Sequence, residues 1–462
     1  MTKSSNPDPE RTARRASHSG GAKDVKIDVH YLTRVEGHGD ITVDVRSGEL
    51  KECKFKVIES ARFFETMLRG RLIYEAQHLT SRICGICACG HSLTSIKASE
   101  KALGIVPHED TLLLRKLLLH TEQMDSHVLH AYVLVAPDLL GVKSIMPLVK
   151  THRPVIERAF RMKKLSDWAG EILAGRHTHP ISFAIGGLTK IPEKAHLQKL
   201  REMMVEARAD YAETVELFKK LALPSFERKG QYVALSHEKE YAFYDGKINV
   251  NGEKLVDPQD YLSVIKEEVR DYSSAKFVTV NKAPYMVGAL ARFNLNGDKL
   301  DKKSKEVASY LGLKRPCANT FMNTVAQVVE WGYCLEDSIS ILERLIKNGI
   351  DEEKVLVTMY PKKDQWPIKT RAGRGVGAVE VPRGILFHDY TVDDHGVVAA
   401  ANCIIPTNQN INNLEADMRK IVPEIVGIQG EEEMRLTLEM LARAYDPCIS
   451  CSTHLLDVRF VS

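Results

Sequence analysis

Two C-x-x-C pairs stand at opposite ends of this chain, and they restrict its fold more than any other feature. Cys84 and Cys87 form the first pair, Cys448 and Cys451 the second, with most of the 462 residues between them. A single turn carrying C-x-x-C presents two thiolates to one metal, and thiolates select soft metals. Four thiols can share one ion only if the tertiary fold carries the C-terminus back to the first pair. A local zinc module is disfavoured, because its two pairs are spaced by about 15–20 residues. A four-cysteine zinc site built across the fold, an Fe–S cluster, a catalytic soft metal and unligated thiols all stay open on spacing alone.

Charge and hydropathy narrow the class. Lys and Arg number 64 against 61 Asp and Glu, a net charge of +3. So small an excess argues against a protein that binds nucleic acid by neutralising phosphates. No apolar run is long enough to span a bilayer, and the most apolar patch, Val133 to Ala136, is closed by Pro137 and Asp138. Residues 1–24 are polar and lack the apolar core of a secretion signal, so they read as a disordered tail on a cytoplasmic protein. Nine cysteines in such a chain are more often buried, catalytic or metal-bound than bridged.

Periodicity places the elements. Alternation at 41–45 and 53–57 around Ser47-Gly48 predicts an antiparallel hairpin. Helical spacing begins near Phe64 and continues through Leu93, Ile96 and Leu103. Long helices are predicted at 109 to about 135, 153–174, 192–221 and 320–348, the last stopped by Gly349. Strands return at 231–255, with Asp245-Gly246 and Asn251-Gly252 as hairpin turns. Residues 355–405 read as strand-rich and 414–445 as helical. The glycines at 373, 375 and 377 lack a dinucleotide-binding context and read as a tight turn beside a buried site. No linker or repeat is visible, so 25–454 is expected to be one α-rich α+β unit.

The neighbours of the cysteines discriminate among the metals. Arg82 and His91 flank the first pair, and His454 follows the second. A structural tetrathiolate needs no such donors, whereas a tuned reactive metal does. The first motif reads R-x-C-G-x-C-x-x-x-H and the last D-P-C-x-x-C-x-x-H, and both resemble the signature motifs of the nickel–iron hydrogenase large subunit. Arg34-Val35-Glu36-Gly37-His38, His179-Pro180 with Gly186-Gly187, Pro382-Arg383-Gly384 and Ile405-Pro406-Thr407 resemble further motifs of the same family, so the resemblance runs from about 26 to 454. It implies that family's fold, with a core of long helices and small peripheral sheets.

The resemblance also implies a site and a reaction. Cys84 and Cys448 would be terminal nickel ligands, and Cys87 and Cys451 would bridge nickel to an iron carrying one carbon monoxide and two cyanides. The reaction would be reversible heterolysis of dihydrogen to protons and electrons. Cys448 would accept the proton and Glu36 relay it. Arg383 would face the open coordination position, with Pro382 beside it. Thr407 would donate to a cyanide and His91 to the Cys87 thiolate. A magnesium or iron ion would be held by Glu65, the Cys403 carbonyl and His454. Ser126 stands where some relatives have an acidic residue, so the canopy over the metals is expected to differ. Residues 455–462 would be removed by a maturation endopeptidase after His454. Cys53, Cys317, Cys334 and Cys403 read as buried thiols and Cys89 as a minor ligand candidate.

The partners implied are maturation proteins, an Fe–S small subunit docked near His179, and further electron-transfer subunits of diaphorase or ferredoxin type, with flavin on those chains. Acceptors of the resembled class are NAD(P), ferredoxin, a heterodisulfide reductase system or a deazaflavin coenzyme. A hydrogen sensor with the same centre is a competing function. The homologous quinone-site subunit of respiratory complex I lacks the four thiolates and is disfavoured. A structural scaffold built on the four cysteines would need neither Glu36, Arg383 nor His454.

Overall fold

Alternating apolar residues in 25–57 form a three-stranded antiparallel sheet, ordered β1 (Val25–Val29), β2 (Gly39–Arg46), β3 (Glu49–Val57). Ser47 and Gly48 make the two-residue turn, with φ of 50° and 77°. Positive φ at both positions matches the twist of the strands it joins. The computed structural model describes residues 24–358 and 371–453. The expected N-terminal tail (apart from Asp24), His454 and the C-terminal extension lie outside the described residues.

Two short helices, α1 (Phe64–Leu68) and α2 (Ile73–Thr80), lead into α3 (Ala88–Leu103), which Gly104 ends at φ 72°. The predicted helix at 109–135 is not uniform. It is α4 (Glu109–Val128), a π-helical segment (Leu129–Val135) and α5 (Ala136–Leu139). Next come α6 (Ile145–Thr151), α7 (Arg153–Ala174), the short strands β4 (Phe183–Ala184) and β5 (Gly187–Leu188), and α8 (Lys194–Lys220).

The middle of the chain holds β6 (Gln231–Ser236), β7 (Lys247–Val250), β8 (Lys254–Val256), β9 (Ile265–Glu268), β10 (Phe277–Val280) and β11 (Tyr285–Met286). Asn251-Gly252 does turn β7 into β8, with φ of 56° and 79°. Asp245-Gly246 is no hairpin turn. It ends a longer loop, where Gly246 packs against the Ser236 backbone. Helices α9 (Ala289–Asn296), α10 (Lys302–Tyr310), α11 (Asn323–Asn348) and α12 (Glu352–Val355) follow. The core is a layer of long helices in which α4 packs on α7 and α11, and α8 packs on α7 and α11. Leu114, Leu117, Leu118, Leu197, Leu200, Met204, Val325, Val329 and Leu342 are buried at helical spacings.

The last sheet is ordered β12 (Gly373–Val381), β13 (Gly384–Val392), β14 (Val398–Ile404). Two helices follow, α13 (Pro406–Ile425) and α14 (Glu431–Ala444), separated at Gly427 (φ 83°) rather than continuous. The glycine-dense stretch is the clearest correction to the sequence reading. It is a regular strand, not a turn. Gly373, Gly375 and Gly377 alternate onto the face that lies against α3. A Cβ on Gly377 would sit 2.2 Å from the Thr94 carbonyl oxygen, and one on Gly375 2.2 Å from the Ala98 carbonyl oxygen. Three glycines in period two let a helix backbone rest directly on a strand. Gly377→Ala is therefore expected to destabilise the chain by about 1–3 kcal/mol, the cost of overpacking. Thermal unfolding of the two chains checks this, and an unchanged midpoint would refute the packing argument. Among the described residues, no helix is long and apolar enough to cross a membrane.

Candidate metal centre

The four motif cysteines meet in one place. Cys84, Cys87, Cys448 and Cys451 have all their sulfurs within 4.8 Å of one another, and none is more than 4% exposed. The first cysteines of the two motifs face each other, Cys84 Sγ to Cys448 Sγ, at 3.4 Å. The second ones, Cys87 and Cys451, face each other at 3.6 Å. Cys84 ends the short 3-10 turn Ser81–Ile83 in extended conformation, and Cys87 precedes the first residue of α3. The amides of Ile86 and Cys87 donate to Cys84 Sγ at 3.2 and 3.3 Å. The helix N-terminus adds a positive dipole end beside these sulfurs.

Residues 33–62 and the second cysteine loop are stitched together by side chains remote in sequence. Asp138 accepts from Arg34 of the N-terminal loop and from Arg443 of α14, the latter at 2.7 Å. Arg443 also donates to the Thr33 carbonyl at 3.1 Å. Arg62 joins the two cysteine loops directly, donating to the carbonyls of Ile83 and Ser450. The Ile449 amide donates to the Glu36 carbonyl at 2.9 Å. Gly37 makes this approach feasible. Its φ is 86°, and a Cβ there would lie 2.8 Å from Ile449 Cβ.

The electrostatics of the cluster fit a metal cation. Hydrogen bonds from Cys448, Cys451 and Cys87 hold the Cys84 thiol well below its usual range. Cys448 and Cys451 are pushed well above it, by burial first and then by their neighbours. Bonds from Cys448 and Cys451 pull Cys87 down, but Cys84 and burial outweigh them and set it at about 11. Protein groups alone thus ease ionisation of Cys84 and oppose it at the other three. Ionising all four needs a bound cation of soft character.

Glu36, Arg383 and Thr407 lie beside the cysteines. Glu36 Oε2 lies 3.2 Å from Cys448 Sγ and accepts the Ser450 amide at 3.0 Å. Arg383 is buried and within electrostatic reach of Cys448, Cys87 and Cys84. Its Nε donates to the Asp446 carbonyl at 2.6 Å, Nη2 to the Asp446 carboxylate at 2.7 Å, and Nη1 to Ser126 Oγ at 3.2 Å. Thr407, in the first turn of α13, accepts the Cys448 amide at 3.0 Å. Pro382 shares the β12–β13 turn with Arg383. His91 Nδ1 lies 3.1 Å from His388 Nε2, whose other nitrogen reaches the Tyr390 hydroxyl at 2.7 Å.

Other expected residues fall further out. Glu65 is buried, accepts the Cys403 amide at 2.9 Å and pairs with Lys276 at 3.2 Å. Lys276 also reaches Glu267 at 3.1 Å. His179 accompanies the Ser81 carbonyl at 2.8 Å, behind the first cysteine loop. Arg82 is exposed. Cys53, Cys89, Cys334 and Cys403 are buried and Cys317 half-buried, all outside the four-thiol cluster. Sequence reasoning does not single out Asp446, Arg62 or Asp138. Asp446 has a signal, as the fixed acid of D-P-C. Arg62 and Asp138 have none, because their partners are distant in the chain.

A buried four-thiol cluster beside an arginine on this α-rich frame makes a candidate site for a soft metal. Comparison with known proteins gives it a family: Nickel-dependent hydrogenase matches residues 62–155 and 231–454, which include all four cysteines. The chain belongs to that family and is the catalytic large subunit of a [NiFe] hydrogenase, an oxidoreductase acting on dihydrogen. It is similar to the sulfhydrogenase 1 subunit alpha of Pyrococcus furiosus, with 34% identity over 433 residues, 93% of this chain and 98% of that one. The NAD-reducing hydrogenase HoxS subunit beta of Cupriavidus necator is 26% identical, over 93% of this chain and 95% of that one. Among solved structures, an NAD+-reducing [NiFe]-hydrogenase in the H2-reduced state superposes with a TM-score of 0.81 at 25% identity, covering 94% of this chain and all of that one. The expected class, fold and enzymatic activity are borne out.

Proposed function

We propose that the four sulfurs hold nickel, with Cys84 and Cys448 terminal and Cys87 and Cys451 shared with an iron bearing one carbon monoxide and two cyanides. The single observation behind this is the convergence of four buried thiols within 4.8 Å, first cysteine opposite first and second opposite second. Bound there, the centre supplies the redox chemistry that splits dihydrogen heterolytically. The chain supplies the rest. Cys448 accepts a proton at sulfur, and Glu36, 3.2 Å away, takes it onward. Arg383 presents a fixed, permanently charged fork toward the cluster, held by Asp446 and Ser126. Thr407, whose oxygen accepts the Cys448 amide, would donate its hydroxyl hydrogen to a cyanide. His91 is assigned to the Cys87 side.

The second ion belongs near Glu65, with the Cys403 carbonyl and His454 as further ligands. The Glu65 carboxylate would be its hard donor; in the structure it pairs with the Lys276 ammonium, which also holds Glu267 and which a metal ion would have to displace. Electrons leave to an Fe–S small subunit on the His179 side and reach a soluble acceptor, NAD(P) or ferredoxin, through further cytoplasmic subunits. The NAD-reducing activity of the Cupriavidus necator relative supports a nicotinamide acceptor. Maturation ends with cleavage after His454.

The test is an infrared spectrum of the chain purified with its natural partners, alongside nickel analysis. Bands of metal-bound carbon monoxide and cyanide, with about one nickel per chain, are expected. Their absence from a nickel-replete, matured sample would overturn the proposal.

A further inference from the structure

The turn that carries Arg383 is held by an unusual set of bonds. It is only Pro382 and Arg383, because Val381 pairs with Gly384. All four carbonyl oxygens from 380 to 383 are taken by side chains. Gln123 Nε2 donates to the Glu380 carbonyl at 2.7 Å. Arg292 Nη1 donates to the Val381 carbonyl at 3.0 Å, and its Nη2 to the Pro382 carbonyl at 3.1 Å. Asn410 Nδ2 reaches the Arg383 carbonyl at 3.5 Å. These donors come from α4, α9 and α13, so three separate elements converge on one two-residue turn.

Arg292 is itself bonded at every nitrogen. It is fully buried. Its Nε and Nη2 hold both oxygens of Glu330 at 2.7 Å, and its Nη1 holds Glu380 at 2.9 Å. His127 and Tyr241 fix Glu330 from the other side at 2.9 and 2.7 Å. The Phe243 ring lies beneath the guanidinium, 5.2 Å from centroid to carbon. Stability alone does not call for this, since well-packed apolar residues replace buried ion networks at little loss or some gain. What apolar residues cannot do is deliver donors to successive carbonyls and so set a backbone to a fraction of an ångström.

We propose that Arg292, assisted by Gln123 and Asn410, is a positioning residue for hydrogen turnover: it clasps the 380–383 backbone so that Arg383 projects at one fixed height and angle over the thiolates. Asp446 and Ser126 orient the head of Arg383, and the clasp sets its root. The inference rests on the reading that Arg383 faces the metal centre.

The experiment uses the purified holoenzyme with its partners. Arg292→Lys keeps the charge but loses the fork, and Arg383→Lys serves as the reference. For Arg292→Lys, turnover per nickel is expected to fall roughly 10- to 100-fold, the scale of a displacement of about 1 Å in a catalytic group. The cyanide bands should shift in the same sense as in Arg383→Lys. A lowered melting temperature with unmoved bands and turnover within about twofold of wild type would mark Arg292 as merely structural and overturn the proposal. If Arg383→Lys moves nothing, the underlying reading of Arg383 fails instead. If Arg292→Lys does not fold or does not load nickel, Gln123→Met decides. It removes one donor at similar volume, and a smaller band shift of the same sense supports the clasp, while unmoved bands refute it.

Discussion

A Cys451→Ala chain is expected to lose nickel and hydrogen turnover together, by more than about 1,000-fold in rate. Losing an outer-shell partner of a metal typically costs about 10–100-fold, and removing a ligand exceeds that. The physical reason lies in the cluster's charge. Cys451 is fully buried, 2.8 Å from Cys448 Sγ and 3.6 Å from Cys87 Sγ. In the proposed centre it is one of two sulfurs shared by both metals, so its loss affects both. Folding should survive, because deleting one small buried thiol costs only about 1–2 kcal/mol. Nickel analysis, dye-linked hydrogen oxidation and thermal unfolding on one preparation separate these effects. A variant that kept about one nickel per chain and about a tenth of its turnover would refute the ligand assignment. A variant rich in zinc, from a wild type equally rich in zinc, would point to a structural site.

Glu36→Gln is expected to lower turnover by about 100- to 10,000-fold, the usual worth of a positioned proton-transfer group, while nickel content stays at the wild-type level. The substitution is nearly isosteric. A glutamine oxygen can still accept the Ser450 amide that Glu36 Oε2 accepts at 3.0 Å, so the loop keeps its anchor. What glutamine cannot do is bind and release the proton that the proposed relay exchanges with Cys448, 3.2 Å away. The effect should therefore fall on rate and leave the infrared bands of the centre almost unmoved. Glu36→Asp, with a shorter reach, should recover part of the loss. Wild-type turnover in Glu36→Gln would mean that protons leave Cys448 by another route.

Much of the architecture is legible because it is local. The helix predicted at 153–174 has those bounds in the structure, since its apolar stripe and Gly175 are both short-range signals. The Ser47-Gly48 hairpin is legible for the same reason. The glycine stretch at 373–377 misleads because glycine marks either a turn or a close approach. Only the position of α3 against β12 distinguishes them. The helix at 109–135 reads as continuous because the apolar period runs through its π-helical segment. Asp245-Gly246 carries a turn dipeptide in a loop too long to be a hairpin.

Residue types at short spacing settle the donor chemistry: four thiols in two pairs, with a glutamate and an arginine in short motifs. Short spacing fixes geometry within a turn or two, and no further. The meeting of residues 33–62 with the second cysteine loop is a tertiary matter, made through Arg34, Asp138, Arg443 and Arg62. So is the arrival of Gln123, Arg292 and Asn410 at the carbonyls behind Arg383. Many of these contacts pair residues hundreds of positions apart, and no local pattern encodes them, because they exist only once the helical core has packed.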